Sequence, residues 1–325
     1  MYQPPFKLNS EILTLATEIS SLVERFVIRL EQADSLKLRK ANKIKSIYSS
    51  LAIEGNSLSE DVVSDIINGK RVFAPAREIL EVKNALATYE LYPKLDAFSI
   101  NDLLKAHGVM MQGIALDAGN FRNCNEGVFK GKKCIHLAPP PNRVPLLMAD
   151  LFEWLKKSKE HLLIRSCVFH YELEFIHPFS DGNGRMGRLW QSLILSKWNS
   201  AFASLPIENM VYANQRKYYD AIARSSTVGE CSAFIAFMLQ NIFETLMKYK
   251  DVPLSNLPAS IDEVKLTQRQ KKIVIMLRED NVTIPKLAKK LKVSERTIER
   301  EMAKLQQMNV IYREGSDKTG YWVVN

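Results

Sequence analysis

His177-Pro178-Phe179-Ser180-Asp181-Gly182-Asn183-Gly184-Arg185-Met186-Gly187-Arg188 is the most informative stretch of this chain. A helical pattern at 160–176 runs into it and another at 185–198 leaves it. The segment therefore reads as a loop opening onto a new helix near Arg185. Two glycines flank Asn183, so main-chain amides can approach a ligand closely. Amides at a helix N-terminus form an anion site, and the macrodipole adds to it. Arg185 and Arg188 stand one turn apart, share a helix face and can reach phosphate oxygens bidentately. Asp181 is a hard oxygen ligand suited to Mg2+ on a diphosphate. His177 is the group there suited to act as a base near neutral pH. A phosphate cradle, a metal ligand and a base together point to transfer chemistry on a nucleotide. The spacing is neither the phosphate loop G-x-x-x-x-G-K-S/T nor the dinucleotide fingerprint G-x-G-x-x-G.

Outward from this loop the pattern is mainly α. Residues 9–33 carry Ile12, Leu13, Ala16, Ile19, Leu22, Val23 and Phe26 at helical spacing, with Asn9 or Ser10 as the cap. A basic cluster follows at Lys37, Arg39, Lys40, Lys43 and Lys45. The next helix, with Ile44, Ile47, Tyr48, Leu51 and Ala52, stops at Glu54-Gly55-Asn56. Further helices are expected near 59–68, 76–95, 99–114, 143–157, 214–225 and 230–249. Residues 126–137 change period: Val128-Phe129 and Cys134-Ile135-His136-Leu137 flank Lys130-Gly131-Lys132-Lys133, which reads as a β-hairpin stopped by Pro139-Pro140-Pro141. Residues 251–260 lack periodicity and read as a linker. Beyond it, helices at 267–278 and 284–291 precede a third, capped by Ser294, that runs to about 308. Strands at 310–312 and 321–324 flank a polar Gly-rich turn, giving a helix-turn-helix with a hairpin wing. The expected domains are a helical region at 1–95, a core at 96–250, a linker at 251–262 and the winged helix-turn-helix at 263–325.

The 325 residues, 46% hydrophobic and 25% charged, fit an ordinary globular chain of about two domains. The net charge of +9 excludes an acidic solvating protein. It is concentrated: residues 264–325 hold 14 Lys and Arg against 7 Asp and Glu, so the remainder is nearly neutral. No apolar run approaches the roughly 18 residues of a membrane span, so no membrane partner is expected. The opening residues are not a charged stretch followed by an apolar one, so no secretory leader is expected. Cys124, Cys134, Cys167 and Cys231 form no C-x-x-C pair. Reduced thiols in a cytoplasmic protein are the expectation, rather than a disulfide framework or a zinc site.

The segment 177–188 resembles the signature of the Fic family, His-Pro-Phe-x-Asp/Glu-Gly-Asn-Gly-Arg-x-x-Arg, with every fixed position matched. The order around it is also similar: Gly119-Asn120-Phe121-Arg122, the hairpin, the prolines, the signature, then Tyr218-Tyr219. The resemblance covers roughly 40–245. It implies a helical core that moves AMP from ATP to a Ser, Thr or Tyr hydroxyl of a target protein. His177 would be the general base and Phe179 would anchor the loop. Asp181 would hold Mg2+. Gly182, Asn183 and Gly184 would form the anion hole, with Arg185 on the β-phosphate and Arg188 on the γ-phosphate. The hairpin, including Val128, Lys130, Cys134, Ile135 and His136, would be a flap that pairs with the target's backbone. Tyr218 and Tyr219 would lie near the adenine, and Ser226 stands where the family often has Asn.

Ser50-Leu51-Ala52-Ile53-Glu54-Gly55 resembles the family's inhibitory motif, Ser/Thr-x-x-x-Glu-Gly/Asn. The resemblance implies that Ser50 and Glu54 form a brake in which Glu54 pairs with Arg188 and denies it to the γ-phosphate. In some members the same glutamate assists AMP removal, so removal is left open here. The default group is AMP, although UMP, phosphate and phosphocholine transfer occur in the family. The alternative is a DNA-binding transcriptional regulator whose Fic part is a nucleotide-gated switch. An intact His177, Asp181 and Arg188 favour the enzyme, since a switch needs no base. Arg296, Thr297 and Arg300 would face a DNA groove, but the same fold also serves protein contacts. A homodimer is left open.

Overall fold

The computed structural model describes residues 2–32, 35–130, 133–250, 267–279, 283–291, 293–307, 310–314 and 321–324. The expected linker, the hairpin tip at 131–132 and the wing tip at 315–320 lie outside them, as do the side chains of 127–137. The chain divides into two units: Met1–Gln32 with Asn42–Asp251, and Ala33–Ala41 with Val252–Asn325. Apart from residues 33–41, the expected helical region and core belong to one unit. Helix α2 (Ser35–Ile53) contributes residues to both.

The first unit is built on two helices that flank the signature loop, α7 (Leu162–Ile176) and α8 (Asn183–Trp198). Helix α7 is buried nearly all round, and Leu163, Cys167, Val168, Phe169 and Leu173 are all fully buried. A helix buried on nearly every face lies at the centre of a core. Helix α8 packs along it and buries Trp190, Leu193, Ile194 and Leu195. Helix α1 (Ser10–Gln32) packs along α11 (Ser232–Lys250), and the Asn9 side chain accepts from the Ile12 amide at 2.9 Å as the N-cap. Helix α3 (Glu60–Ile67) packs on α4 (Ala76–Leu91), α4 on α5 (Ile100–Met110), α5 on α8 and α6 (Val144–Lys157), α6 on α7, and α10 (Gln215–Val228) on α11. Among the described residues no helix is long and apolar enough to cross a membrane.

Strands β1 (Gly127–Lys130) and β2 (Lys133–Leu137) pair antiparallel, with Gly127 opposite Leu137 and Lys130 opposite Lys133. Val128 faces His136 while Phe129 faces Cys134, so Ile135 is the extra residue of a bulge. Two features differ from the sequence expectation. Helix α8 begins at Asn183, not near Arg185, because Gly182 takes φ 89° as its cap and its carbonyl accepts from Met186 N at 2.9 Å. A short helix α9 (Ile207–Ala213) lies where no element was expected. Its seven residues follow Pro206 and are too few to show a period.

The second unit holds α12 (Gln268–Glu279), α13 (Ile284–Leu291) and α14 (Glu295–Gln307), followed by antiparallel β3 (Ile311–Glu314) and β4 (Tyr321–Val324). Ile273, Leu287, Ile298 and Leu305 are fully buried at its centre. Ser294 caps α14, its hydroxyl accepting from Thr297 N at 3.3 Å. Arg296 and Arg300 are exposed, and Thr297 is half-buried with its hydroxyl 2.8 Å from that of Ser294.

Candidate active site

His177 ends α7 with φ 52°, and it is the one non-glycine residue with positive φ among those described. That conformation costs an L-residue about 1–2 kcal/mol and has to be held in place. Its amide donates to Leu173 O at 2.9 Å, and its carbonyl accepts from Arg122 Nε at 2.6 Å. Pro178 then turns the chain inward, and Phe179 is fully buried, stacked on His107 at 3.7 Å between ring centroids. The Asn183 side chain closes the loop on itself. Its Oδ1 accepts from Phe179 N at 3.0 Å and its Nδ2 donates to Phe179 O at 2.8 Å. Asn183 therefore shapes the loop with its side chain and leaves only its main chain for a ligand.

His107 on α5 was not singled out by the sequence, where it is a lone histidine in an amphipathic helix. It is fully buried and burial lowers its pKa, so it stays neutral. Gly119 N donates to its Nδ1 at 2.9 Å, which puts the proton on Nε2, 2.9 Å from Asp181 O. A Cβ on Gly182 would lie 2.8 Å from Met111 Sδ and 3.4 Å from His107 Nε2, so only glycine fits there. Ser180 donates to Asp117 Oδ1 at 2.6 Å. Asp181 receives Arg185 Nη2 at 2.7 Å, and Arg77 Nη2 from the first turn of α4 lies at 3.9 Å. A cleft of about 500 Å3 opens beside them, lined by Ile114, Leu116, Asp117, Ser180 and Asp181 among others.

Arg188 is 3% exposed. Its Nε donates to Ser50 Oγ at 3.2 Å, and its Nη2 donates to Ser50 O at 3.1 Å and to Glu54 Oε1 at 2.7 Å. Its Nη1 is buried with no hydrogen-bond partner among the described residues, and a Cβ on Gly184 would sit 3.0 Å from it. The same Cβ would collide with the Glu54 carboxylate. One donor of Arg188 thus faces the glycine loop while another is held by Glu54. Burial alone would pull the guanidinium pKa down, but Glu54 and then Tyr218 outweigh it, so the group is a permanent cation.

Glu54 follows the last residue of α2. Gly55 at φ 92° ends the helix, and Asn56 N donates to Leu51 O at 3.1 Å. The unexpected α9 and the start of α10 hold α2 in position. Ser46 donates to Glu208 Oε2 at 2.8 Å, Ser49 donates to Asn209 Oδ1 at 3.1 Å, and Gln215 Nε2 donates to Ile53 O at 3.0 Å.

Behind Arg188 runs a buried polar chain. The Tyr218 hydroxyl lies 3.2 Å from Glu174 Oε1 and 3.1 Å from His170 Nε2, and His170 Nδ1 lies 2.6 Å from Gln191 Oε1. Burial drives His170 down to about 3, so the ring is neutral. Burial first, and the Glu54 charge second, push Glu174 up to about 7. Tyr218 is 1% exposed, whereas Tyr219, edge-on to it at 5.3 Å, is 49% exposed. Only Tyr219 presents a face to a ligand.

The chain matches the Fic/DOC family over residues 97–195 and a helix-turn-helix domain over residues 269–321. It is 29% identical over 232 residues to a protein adenylyltransferase Fic of Nematostella vectensis, covering 67% of this chain and 52% of that protein. It is 30% identical over 268 residues to a protein adenylyltransferase Fic of Culex quinquefasciatus, covering 74% of this chain and 51% of that protein. The chain thus spans about half the length of the curated relatives it matches. Over its whole length it is similar to a crystal structure of a Fic family protein from Desulfovibrio desulfuricans, at 36% identity, a TM-score of 0.73, and 100% and 98% coverage of the two chains. The chain belongs to the Fic family.

Proposed function

We propose that this protein is an adenylyltransferase that moves AMP from ATP to a hydroxyl side chain of a target protein. The observation that carries the reading is the buried Arg188 guanidinium, whose unpaired Nη1 faces the glycine loop at the N-terminus of α8. That arrangement is a seat for a polyphosphate: main-chain amides, a helix dipole and a fixed cation. The α8 amides would hold the α- and β-phosphates, with Arg185 beside them, and Arg188 would take the γ-phosphate. Tyr219 would stack on the adenine. His177 would accept the target hydroxyl proton as the oxygen bonds to the α-phosphorus. The bond from that phosphorus to the bridging oxygen would break, and diphosphate would leave through the cleft beside Asp181. Strand pairing of the target with the hairpin β1–β2 would present the hydroxyl through main-chain contacts.

Mg2+ fits this site as an ion carried by the nucleotide. Asp181 offers one carboxylate, 43% exposed, beside the α8 N-terminus, and no group of three or more His, Cys, Asp or Glu suited to a metal ion occurs among the described residues. Asp181 would hold the ion, which would neutralise phosphate charge. Glu54 would act as the brake, since a carboxylate on Arg188 occupies the place of the γ-phosphate anion. With ATP labelled on the α-phosphate, Glu54→Gly should incorporate label and Glu54→Gly/His177→Ala should not. Label arriving from the γ-phosphate instead would replace AMP transfer with phosphoryl transfer.

The helix-turn-helix supports a second activity, duplex DNA binding, through the exposed Arg296 and Arg300 of α14 and the positive charge of its unit. Binding of the full chain to duplex DNA should weaken steeply with salt and fall in Arg296→Ala/Arg300→Ala. Salt-independent or unchanged binding would favour a protein partner for this unit.

A further inference from the structure

Arg122 is 2% exposed, yet among the described residues every hydrogen bond its side chain makes goes to a main-chain carbonyl. Nε donates to His177 O at 2.6 Å, Nη1 to Cys124 O at 2.6 Å, and Nη2 to Pro139 O at 2.6 Å and to Ile176 O at 3.4 Å. Its own amide donates to Pro178 O at 2.9 Å. These carbonyls come from two places. Ile176, His177 and Pro178 form the strained turn that aims the histidine. Cys124 and Pro139 lie just before and just after the hairpin β1–β2, whose base is closed by Ala138 N donating to Glu126 O at 3.1 Å. One planar guanidinium therefore fixes the base-bearing turn and both ends of the hairpin in a common frame. A planar fork can do this, whereas an ammonium can reach only part of the set.

We propose that Arg122 is a positioning residue that couples the hairpin's register to His177, so that the hydroxyl of a strand-paired target arrives at the imidazole. The inference rests on the adenylyl-transfer reading. Among the described residues the hydrogen bonds of Arg122 go to the turn and the hairpin base and none to α8 or Arg188, so the nucleotide seat stands apart from it. Its loss should lower the rate of transfer without lowering affinity for ATP. Misplacement by about 1 Å costs on the order of 100-fold in rate, which sets the expected loss.

The test compares Glu54→Gly with Glu54→Gly/Arg122→Met and Glu54→Gly/Arg122→Lys. Both double variants should bind ATP within about twofold of the parent, because the α8 amides are untouched. The kcat for automodification should fall about 100-fold in the Met variant and recover about tenfold in the Lys variant, which restores part of the donor set. Hydrogen exchange at the Ala138 and His177 amides should quicken together in the Met variant. Unchanged kcat, or parallel collapse of ATP affinity and kcat in both variants, would overturn the proposal. If the parent itself fails to transfer, the transfer reading falls, and exchange that leaves either amide unchanged separately rejects the coupling.

Discussion

Replacing Glu54 by Gln should open the nucleotide seat without releasing α2, and the energies explain why. Helix α2 buries Ile44, Ile47, Leu51 and Ile53, each at 5% exposure or less. At about 1.5–3 kcal/mol per buried aliphatic side chain, lifting the helix away costs about 6–12 kcal/mol. Its bonds to Glu208, Asn209 and Gln215 add to that. The Glu54 side chain is 31% exposed and joins Arg188 through one contact of 2.7 Å. A pair of that kind lies between a surface bridge and a buried one, at about 1–3 kcal/mol. Turning Glu54 into solvent is therefore the low-energy route to a free Arg188. Glu54→Gln keeps an acceptor for Nη2 and removes the charge, so ATP affinity and automodification should rise about 5- to 150-fold. Ile47→Ala should cost about 2–5 kcal/mol of stability and leave transfer at the wild-type level. The assays are ATP titration calorimetry, thermal denaturation and labelling of the three proteins side by side. Equal activation by Ile47→Ala and Glu54→Gln would refute side-chain release and require the whole helix to leave.

Two further perturbations follow from the same geometry. Gly184→Ala puts a methyl group against the Glu54 carboxylate and 3.0 Å from Arg188 Nη1, so it should break the pair and block the anion seat together. ATP binding should fall in Gly184→Ala and stay low in Gly184→Ala/Glu54→Gly, measured by calorimetry. Glu174, raised from 4.5 to about 7, keeps a proton in the folded chain that the unfolded chain releases. Its contribution to stability is fully present below pH 4.5 and is lost as pH rises through 7, a change on the order of 3 kcal/mol. Glu174→Gln should flatten the melting-temperature profile between pH 4.5 and about pH 7, while an unchanged profile would assign that dependence to other groups.

Much of the site is legible in the sequence because it is local. The loop, its glycines, the arginines one turn apart and the stop at Gly55 all lie within a dozen residues of one another in two segments. Each obeys short-range rules of helix termination and capping. The partners that hold the site are not local. His107 reaches Asp181 across 74 positions, Ser46 reaches Glu208 across 162, and Arg122 reaches His177 across 55. Nothing in the spacing of a lone buried histidine or arginine announces such a partner. Helix α9 was missed because its role is to hold α2, and it carries no amphipathic period of its own. The start of α8 was displaced by two residues because a left-handed glycine cap sits inside the signature. The position of Tyr218 in the core, with only Tyr219 open to a ligand, depends on packing against Phe234 and Phe237. The charge distribution, by contrast, is a property of sequence alone: the helix-turn-helix carries most of the +9.

At the centre of the proposed activity stand Arg188, a phosphate-binding cation held back by Glu54, and His177, the base. Intact-mass spectrometry of wild type, Glu54→Gly and Glu54→Gly/His177→Ala after incubation with ATP and Mg2+ tests this most directly. The mass of one or more adenylyl groups should appear on Glu54→Gly, little on wild type, and none on the double variant. Equal adenylylation of wild type and Glu54→Gly, or adenylylation that survives loss of His177, would contradict it.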